Sequence, residues 1–475
     1  MRAGAPAAIL RVMSLLLPSS APAIHRFGGT LIGPDDDGYD AARRVHNGMI
    51  DRRPALIARC ESVADISAAL AYAQAEELEV AVCAGRHSAP GFATTEGGLV
   101  IDVGPLKGIH VDPVRQIAWV QPGVLWGELD AATQEHGLAV TGGRVSSTGV
   151  AGFTLGSGSG WLERKMGLAA DNLRAARVLT ADGRVVTASQ DENADLFWAL
   201  RGGGGNFGIV VEFEFALRAV GPIVLGGMLV WPRERAREVA LAYRDLMAGA
   251  PDALCGGLVL ASAPPLPVVP AELRGRPAVG VLVVYDGDPE RGAEHIARLR
   301  ALAPAVDAVQ PMPYCALQTM LDPPGESHDT RAYYRFSFID ALTDAAVDTI
   351  VAGAEVAPSP MSAVLLQPMG GAFARVGEMD TALGHRDSDW GIQVLAAWLE
   401  PERDTSNRAW VRAMTDALAP WARPAGFPNF IADAGDPAAV RRAYGAERYA
   451  RLVDAKDRWD PRNVFRLNHN IPPTA

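Results

Sequence analysis

The sequence predicts an α+β fold in two domains, the second an antiparallel sheet backed by helices. Three observations carry this. The chain has 475 residues, beyond the roughly 250 to 300 at which a single hydrophobic core stops growing. Hydrophobic residues make up 49% of it and charged residues 21%, the ordinary balance of packed domains. The texture also changes near Val220. Short Val- and Ile-rich runs with glycine loops precede that point, and longer alternating runs separated by Ala-rich stretches follow it.

Residues 1–40 read as an N-terminal extension. An apolar run, Ala7 to Leu17, is interrupted by Arg11, so a disordered extension on a cytoplasmic protein is preferred to a secretory signal. The strand ALIAR, a helix opened by Ser62 with Asp65 three residues on, and the strand EVAVCAG come next. The runs LVIDV, IHVD and IAWVQPG suit strands, and a helix over about Leu125 to Glu135 stops at Gly137. Residues 141–170, rich in Gly, Ser and Thr, read as loop. RAARVLT and RVVTAS flank Asp182-Gly183, a strong hairpin signal. A helix NADLFWAL then ends at Gly202 and the strand IVVEFEFAL follows. Beyond Val220 the strands VLGGMLVWP, VGVLVVYDG, YYRFSFI, AVLLQPMGGAF and IQVLAAWL alternate with helices near 234–248, 290–302, 344–354 and 405–418. A last helix, ERYARLVDAKDRW, is stopped by Pro461. The expected division is 41–220, 221–424, and a segment 425–475 that returns to the first domain.

The net charge of −11, with no basic stripe interleaved with aromatics, argues against nucleic-acid partners. No run of about 20 apolar residues supports a membrane span. Cys60, Cys83, Cys255 and Cys315 show no zinc or disulfide spacing, so no metal is expected. An anion would have to be held locally, by backbone N–H groups.

Two glycine loops invite that role. In RGGGGNFG, residues Gly203, Gly205 and Gly208 fit a dinucleotide fingerprint, but that motif needs a strand before it and a helix after. Here a helix precedes and a strand follows, so nicotinamide-dinucleotide binding of that type is rejected. Close approach of backbone to some other ligand explains the run better than a flexible turn. The second loop is AGRHSAPG. A histidine in such an octapeptide is most often a hydrogen-bonded structural residue. His87, however, follows a buried-type strand within a small-residue turn, where its imidazole would sit at a loop edge within reach of a cofactor ring.

The stretches VHNGMID, GRHSAPGF, GVAGFTLGSGSGWLERKMGL with Asp171-Asn172, DLFWALRGGGGNFGIV and YGAERYARLVDAKDRWDPRNVFRLNHNIPP recur in order. From about Arg44 to the C-terminus the chain thus resembles the berberine-bridge-enzyme-like FAD-linked oxidases, within the vanillyl-alcohol oxidase group and its PCMH-type FAD-binding fold. The resemblance implies that Cys83, Ala84, Gly85, Arg86, His87 and Ser88 wrap the FAD pyrophosphate, and that His87 bonds covalently to the flavin 8α-methyl carbon. That chemistry needs a neutral imidazole nitrogen as nucleophile. The linkage raises the flavin potential, favouring hydride removal from poorly activated carbons.

Many relatives add a second bond from a Cys. Val145 stands at that position here, so a single linkage through His87 is expected. Ser146, Ser147, Gly149, Gly152, Gly156, Gly160 and Asn172 should also serve the cofactor, as should Gly208, Ile209 and Val210 at the adenine side and Asn468 and Asn470 in the tail. The chain departs from the family at Ser157 and Ser159, and Cys83 falls where many relatives have Arg.

The middle segment should supply the substrate pocket, with Tyr334, Arg335, Trp390, Gln393 and Phe430 as candidate contacts. Strand alternation lets only one of Tyr334 and Arg335 face the flavin, and only one of Trp390 and Gln393. Several relatives take the substrate proton with the second Tyr of Y-x-N-Y. This chain reads Phe427-Pro428-Asn429-Phe430, so Phe430 should be an apolar wall and the base must lie elsewhere. Tyr334 is the first candidate and His385 the second, although His385-Arg386 reads equally as a structural corner. The activity implied is oxidation of an alcohol, sugar hemiacetal, amine or natural-product intermediate, with hydride passing to flavin N5 and dioxygen as acceptor. A dehydrogenase with another acceptor and a degenerate flavin-binding protein remain as alternatives.

Overall fold

The computed structural model describes residues 24–323, 328–423, 426–433 and 436–474. The expected signal or extension therefore lies mostly outside the described residues. Four strands, β1 (Thr30–Ile32), β2 (Leu56–Arg59), β3 (Val80–Cys83) and β4 (Leu99–Asp102), form a sheet in the order β1-β2-β4-β3, with β4 parallel to both β2 and β3. The Val63–Ala75 helix starts where expected. Ser62 Oγ accepts from the Asp65 N–H at 3.2 Å, while the Asp65 carboxylate accepts from Ser62 Oγ at 2.8 Å and from the Glu61 N–H at 3.1 Å. This reciprocal capping satisfies donors that the first helical turn leaves free.

A second sheet holds β5 (Ile109–Asp112), β6 (Ile117–Val120), β8 (Leu173–Leu179), β9 (Val185–Ser189) and β10 (Ile209–Ala216), in the order β5-β6-β10-β8-β9. β7 (Leu138–Ala139) pairs with β11 (Arg218–Ala219). The Asp182-Gly183 hairpin forms, with Gly183 at φ 82° and its N–H donating to Thr180 O at 2.9 Å. The stretch expected to be loop over 141–170 contains two short helices, Val150–Leu155 and Glu163–Met166. Small residues there fit tight helix packing as readily as turns, and composition alone does not separate the two.

The third sheet is antiparallel and has eight strands: β12 (Ile223–Pro232), β13 (Leu254–Ser262), β14 (Pro277–Tyr285), β15 (Val306–Asp307), β16 (Gln310–Pro313), β17 (Arg331–Ile339), β18 (Ala363–Pro368) and β19 (Trp390–Trp398). Its order is β15-β12-β14-β13-β18-β19-β17, with β16 beside β12. The central β13 is not among the predicted strands. Gly256-Gly257 interrupts its pattern, and a side chain at Gly256 (φ 124°) would place its Cβ 2.0 Å from Leu282 O. The helix expected over 290–302 is broken into Pro289–His295 and Ala297–Arg300.

One face of this sheet meets the helices Ala236–Met247, Asp344–Glu355 and Asp404–Ala417, burying Leu229, Val281, Leu258, Ile392, Val239, Ile350 and Met414 in one core. Each such side chain contributes about 1.5–3 kcal/mol on burial. Strand alternation turns the other face toward the first two sheets. The C-terminal helices Pro437–Tyr444 and Ala446–Trp459 bury Tyr444, Leu452 and Trp459 against Leu196, Trp198 and Phe207. Buried Lys456 fastens them, its Nζ donating to Asn206 O (2.8 Å), Asp460 Oδ2 (2.7 Å) and Phe465 O (3.1 Å). Among the described residues no helix is long and apolar enough to cross a membrane.

Candidate active site

A cavity of about 1400 Å³ lies between the free face of the third sheet and the glycine loops of the first two. Ligand pockets ordinarily run from about 300 to 1,000 Å³, so it has room for a large cofactor and a second molecule. Gly85, Arg86, His87 and Ser88 form one wall, following β3 as expected. Gly149, Gly152 and Gly156 form another, and Gly203 to Asn206 with Gly208, Ile209 and Val210 a third. The first two walls touch backbone to backbone. A Cβ on Gly85 would lie 2.2 Å from Gly149 N, and one on Gly149 2.6 Å from Gly85 N. Gly152 and Gly205, by contrast, have nothing within 4 Å of an added Cβ and present open backbone to the cavity.

His87 sits at the junction. Its Nε2 is 3.1 Å from Ser147 Oγ, and its ring stacks on His46 at 4.2 Å between centroids. Burial, followed by the neighbouring His46, lowers its pKa to about 3, so the imidazole is neutral near pH 7. With the proton on Nε2, Ser147 Oγ accepts the hydrogen bond and Nδ1 keeps a free lone pair. Arg86 adopts a left-handed φ of 64°, and its guanidinium turns away from the cavity. It donates to the carbonyls of Ala42 and Arg44 and to Asp102 at 3.0 Å. His46, which the sequence did not single out, lies in the VHNGMID stretch; only the fold brings it onto His87.

The other expected cofactor residues divide. Ala84 and Asn468 line the cavity, and Asn468 Oδ1 is buried without a hydrogen-bond partner. Asn470 Oδ1 is likewise unpartnered, but Asn470 is not part of the lining. Cys83 points its thiol into the core beside Tyr39 and Val45, where burial pushes its pKa up to about 12. Ser146 bonds Asp322 through both N (2.7 Å) and Oγ (2.6 Å). Gly160 closes on Gly142 O, 2.0 Å from a built Cβ. Asn172 donates to Met166 O and Leu168 O. These four act on the shape of the loops and do not themselves line the cavity.

Alternation in the third sheet settles the two paired choices. Tyr334 and Gln393 line the cavity. Arg335 lies on the opposite face, where its Nη2 pairs with Asp433 at 2.6 Å, and Trp390 packs against Tyr243 in the core, 5.9 Å between centroids. Phe430 also lines the cavity, edge-on to Tyr334 at 6.0 Å and stacked on Phe336 at 5.5 Å. Burial raises the Tyr334 pKa, and its phenol stays protonated. His385 lies outside the lining, with φ 60° and its N–H donating to Glu378 at 2.9 Å. Arg386 next to it holds Asp171 through two 2.8 Å bonds. That pair forms the structural corner.

Lining residues absent from the sequence-based site include His469, Asp322 and Arg144. His469, in the NHN tail, has its pKa lowered to about 4 by burial, against hydrogen bonds to the Ile431 and Pro428 backbone. Asp322 reaches the site from a stretch without strand or helix signals. Arg144 enters beside Val145, its Nη2 donating to Ser159 Oγ, Glu163 Oε1 and Gln367 Oε1, while its Nε is buried and unpartnered. Backbone donors at three loops, a neutral histidine and two orphaned polar atoms, Arg144 Nε and Asn468 Oδ1, fit a flavin dinucleotide. Ser157 is less at ease, with φ 88° and an unpartnered buried hydroxyl.

Known proteins match this arrangement. The FAD binding domain model matches residues 54–189, and the model for berberine and berberine-like proteins matches residues 427–472. The chain is 32% identical to (R)-6-hydroxynicotine oxidase of Paenarthrobacter nicotinovorans, covering 94% of this chain and 97% of that protein. It superposes on the crystal structure of 6-hydroxy-D-nicotine oxidase from Arthrobacter nicotinovorans with a TM-score of 0.84 and 29% identity, covering 94% of this chain and 98% of the other. The xylooligosaccharide oxidase of Myceliophthora thermophila, at TM-score 0.83 and 22% identity over 94% of this chain and 98% of its own, shares the fold.

Proposed function

The chain belongs to the berberine-bridge-like FAD-linked oxidoreductases, and on that premise we propose that it is an oxidase carrying FAD on a single covalent bond to His87. Its substrate would be a small molecule oxidised at a carbon bearing nitrogen or oxygen, with dioxygen as the final acceptor. The observation that carries the reading is the neutral His87 at the cavity wall, held by Ser147 and stacked on His46. Val145 lines the cavity where a thiol would be needed for a second bond, which supports one linkage only. Bound FAD would supply the hydride acceptor.

The chain's own residues then divide the remaining work. Tyr334 donates a hydrogen bond to the heteroatom of the substrate, since its phenol is protonated. Gln393 can donate or accept beside it. Phe427 and Phe430 exclude water from this end of the cavity. A carbon bearing a neutral amine suits the site best, because such an amine carries no proton that a base must take and, among the described residues, the third sheet brings no carboxylate or imidazole to the cavity. The division at residues 41–220, 221–424 and 425–475 belongs to the same proposal, supported by the Lys456 and Asn206 ties that return the tail to the glycine loops.

The test is acid precipitation of the purified protein. Yellow colour should stay in the pellet, the intact mass should exceed the chain by one FAD, and hydrogen peroxide should form with an amine or alcohol from a substrate panel. A colourless wild-type pellet would overturn the covalent assignment.

A further inference from the structure

We propose that the substrate is amphipathic, its reacting polar end held at Tyr334 and Gln393 and a long apolar tail lying across the third sheet toward the Pro264–Val269 loop. This rests on the oxidase reading above and names its substrate class. The argument starts from strand register. Gln393 is paired with Leu365, Leu365 with Val259, Val259 with Gly280, and Gly280 with Val230. Partners in adjacent strands share a face, and all five line the cavity. They form one row across five strands, and at about 4.8 Å per strand the row is roughly 19 Å long.

Its chemistry is uneven. Gln393 is polar, and nothing beyond it in the row is. The neighbouring row begins with Tyr334, paired with Leu395, itself paired with Ala363, and continues through Ala261 and its partner Ala278. The three alanines of this second row leave a groove beside the first. Gly280 brings no side chain to the row, and Met228 Sδ and Val259 Cγ1, 3.0 and 3.2 Å from where its Cβ would stand, close over it and form the apolar edge of the groove.

At the far end Val230 joins Ala263, Val269 and Val306 in an apolar cluster. Above that cluster Leu266 and Val268 stand 51% and 58% exposed while still lining the cavity. Exposed aliphatic side chains at a cavity mouth suit a tail that leaves through it. A sugar chain laid along the same row would leave its hydroxyls without partners, a loss that binding sites reject strongly.

The experiment is calorimetric titration of the purified holoprotein with 4-n-alkylbenzyl alcohols from methyl to decyl, uncharged at working pH, with xylobiose as the comparison. Kd should fall about fourfold per added methylene, and xylobiose should not saturate. Val259→Trp should block the row, so that the gain with chain length ends early while the methyl compound binds within about twofold of wild type. Met228→Gln gives a second test on the groove edge should Val259→Trp fail to fold, and it should flatten the dependence on chain length. A Kd independent of chain length in the wild type, saturable xylobiose binding, or an unchanged decyl Kd in the folded variants would overturn the proposal. Calorimetry reads neither colour nor turnover, so failure here is distinct from failure of the oxidase reading, which a colourless acid pellet or absent peroxide would show.

Discussion

A single methyl group at Gly85 tests whether the two cofactor loops work as one unit. In Gly85→Ala the new Cβ would lie 2.2 Å from Gly149 N and 2.4 Å from Gly149 Cα, both backbone atoms, whereas ordinary contact starts at 3.4 Å. No side chain can rotate aside to make room, so the loops must part by about 1 Å, at an overpacking cost of about 1–3 kcal/mol. The same movement stretches the 3.1 Å contact between His87 Nε2 and Ser147 Oγ to about 4 Å, outside hydrogen-bond range. The expected outcome is a double loss: a melting temperature lower by a few degrees, and flavin content below half, read from the ratio of absorbance near 450 and 280 nm. Gly152→Ala is the control. Nothing lies within 4 Å of its Cβ, it sits in the Val150–Leu155 helix, and alanine there favours helix by up to about 1 kcal/mol, so its effect should fall on flavin content and spare folding. The reasoning is refuted if Gly85→Ala keeps both its melting temperature and its flavin.

His87→Ala should release flavin into the supernatant on acid precipitation while the melting temperature of the flavin-free protein changes little. Ser147→Ala should slow covalent attachment by about 2- to 10-fold, the worth of one hydrogen bond, followed as the growth of precipitable flavin in apoprotein mixed with FAD. Tyr334→Phe should slow anaerobic flavin reduction by about tenfold and not the 10² or more of a lost general base, with no inflection removed from the pH profile between pH 6 and 10. In the flavin-free protein, His87 and His469 have pKa values lowered from 6.5 to about 3 and about 4, burial being the first cause of each. The unfolded chain therefore binds more protons than the fold below pH 6.5, and stability, complete above that pH, is lost as pH falls toward 4 by about 1.4 kcal/mol per unit for each histidine. Urea unfolding at pH 7 and pH 5 should differ accordingly, and the difference should shrink in His87→Gln.

Local rules were legible wherever one local interaction decides the outcome. Ser62 and Asp65 cap each other within three residues, and Gly183 supplies the positive φ that the hairpin turn needs. Both signals lie in adjacent letters. β13 was illegible for the opposite reason. Its Gly256 and Gly257 interrupt the alternating pattern, but the neighbouring strands require them, since a side chain at either would meet Leu282 O or Leu366 O. The order of the third sheet, in which β13 lies between β14 and β18, is likewise set by long-range pairing.

The site shows the same divide more sharply. Sequence order told that RGGGGNFG could not aim a helix N-terminus at a dinucleotide, and the Ala194–Leu200 helix before it and β10 after it bear this out. Alternation told that Tyr334 and Arg335 must face opposite ways but not which one faces the cavity. Asp433 supplies the missing term from 98 residues away. Arg335 pairs with it at 2.6 Å, and Tyr333, on the same face, donates to it at 2.8 Å. A guanidinium turned into the apolar row instead would lose that partner and be buried without one. The ion pair and the buried Tyr333 and Ile339, which share that face and join the helix-side core, agree on one parity for the strand, and that parity leaves the Tyr334 phenol on the cavity face.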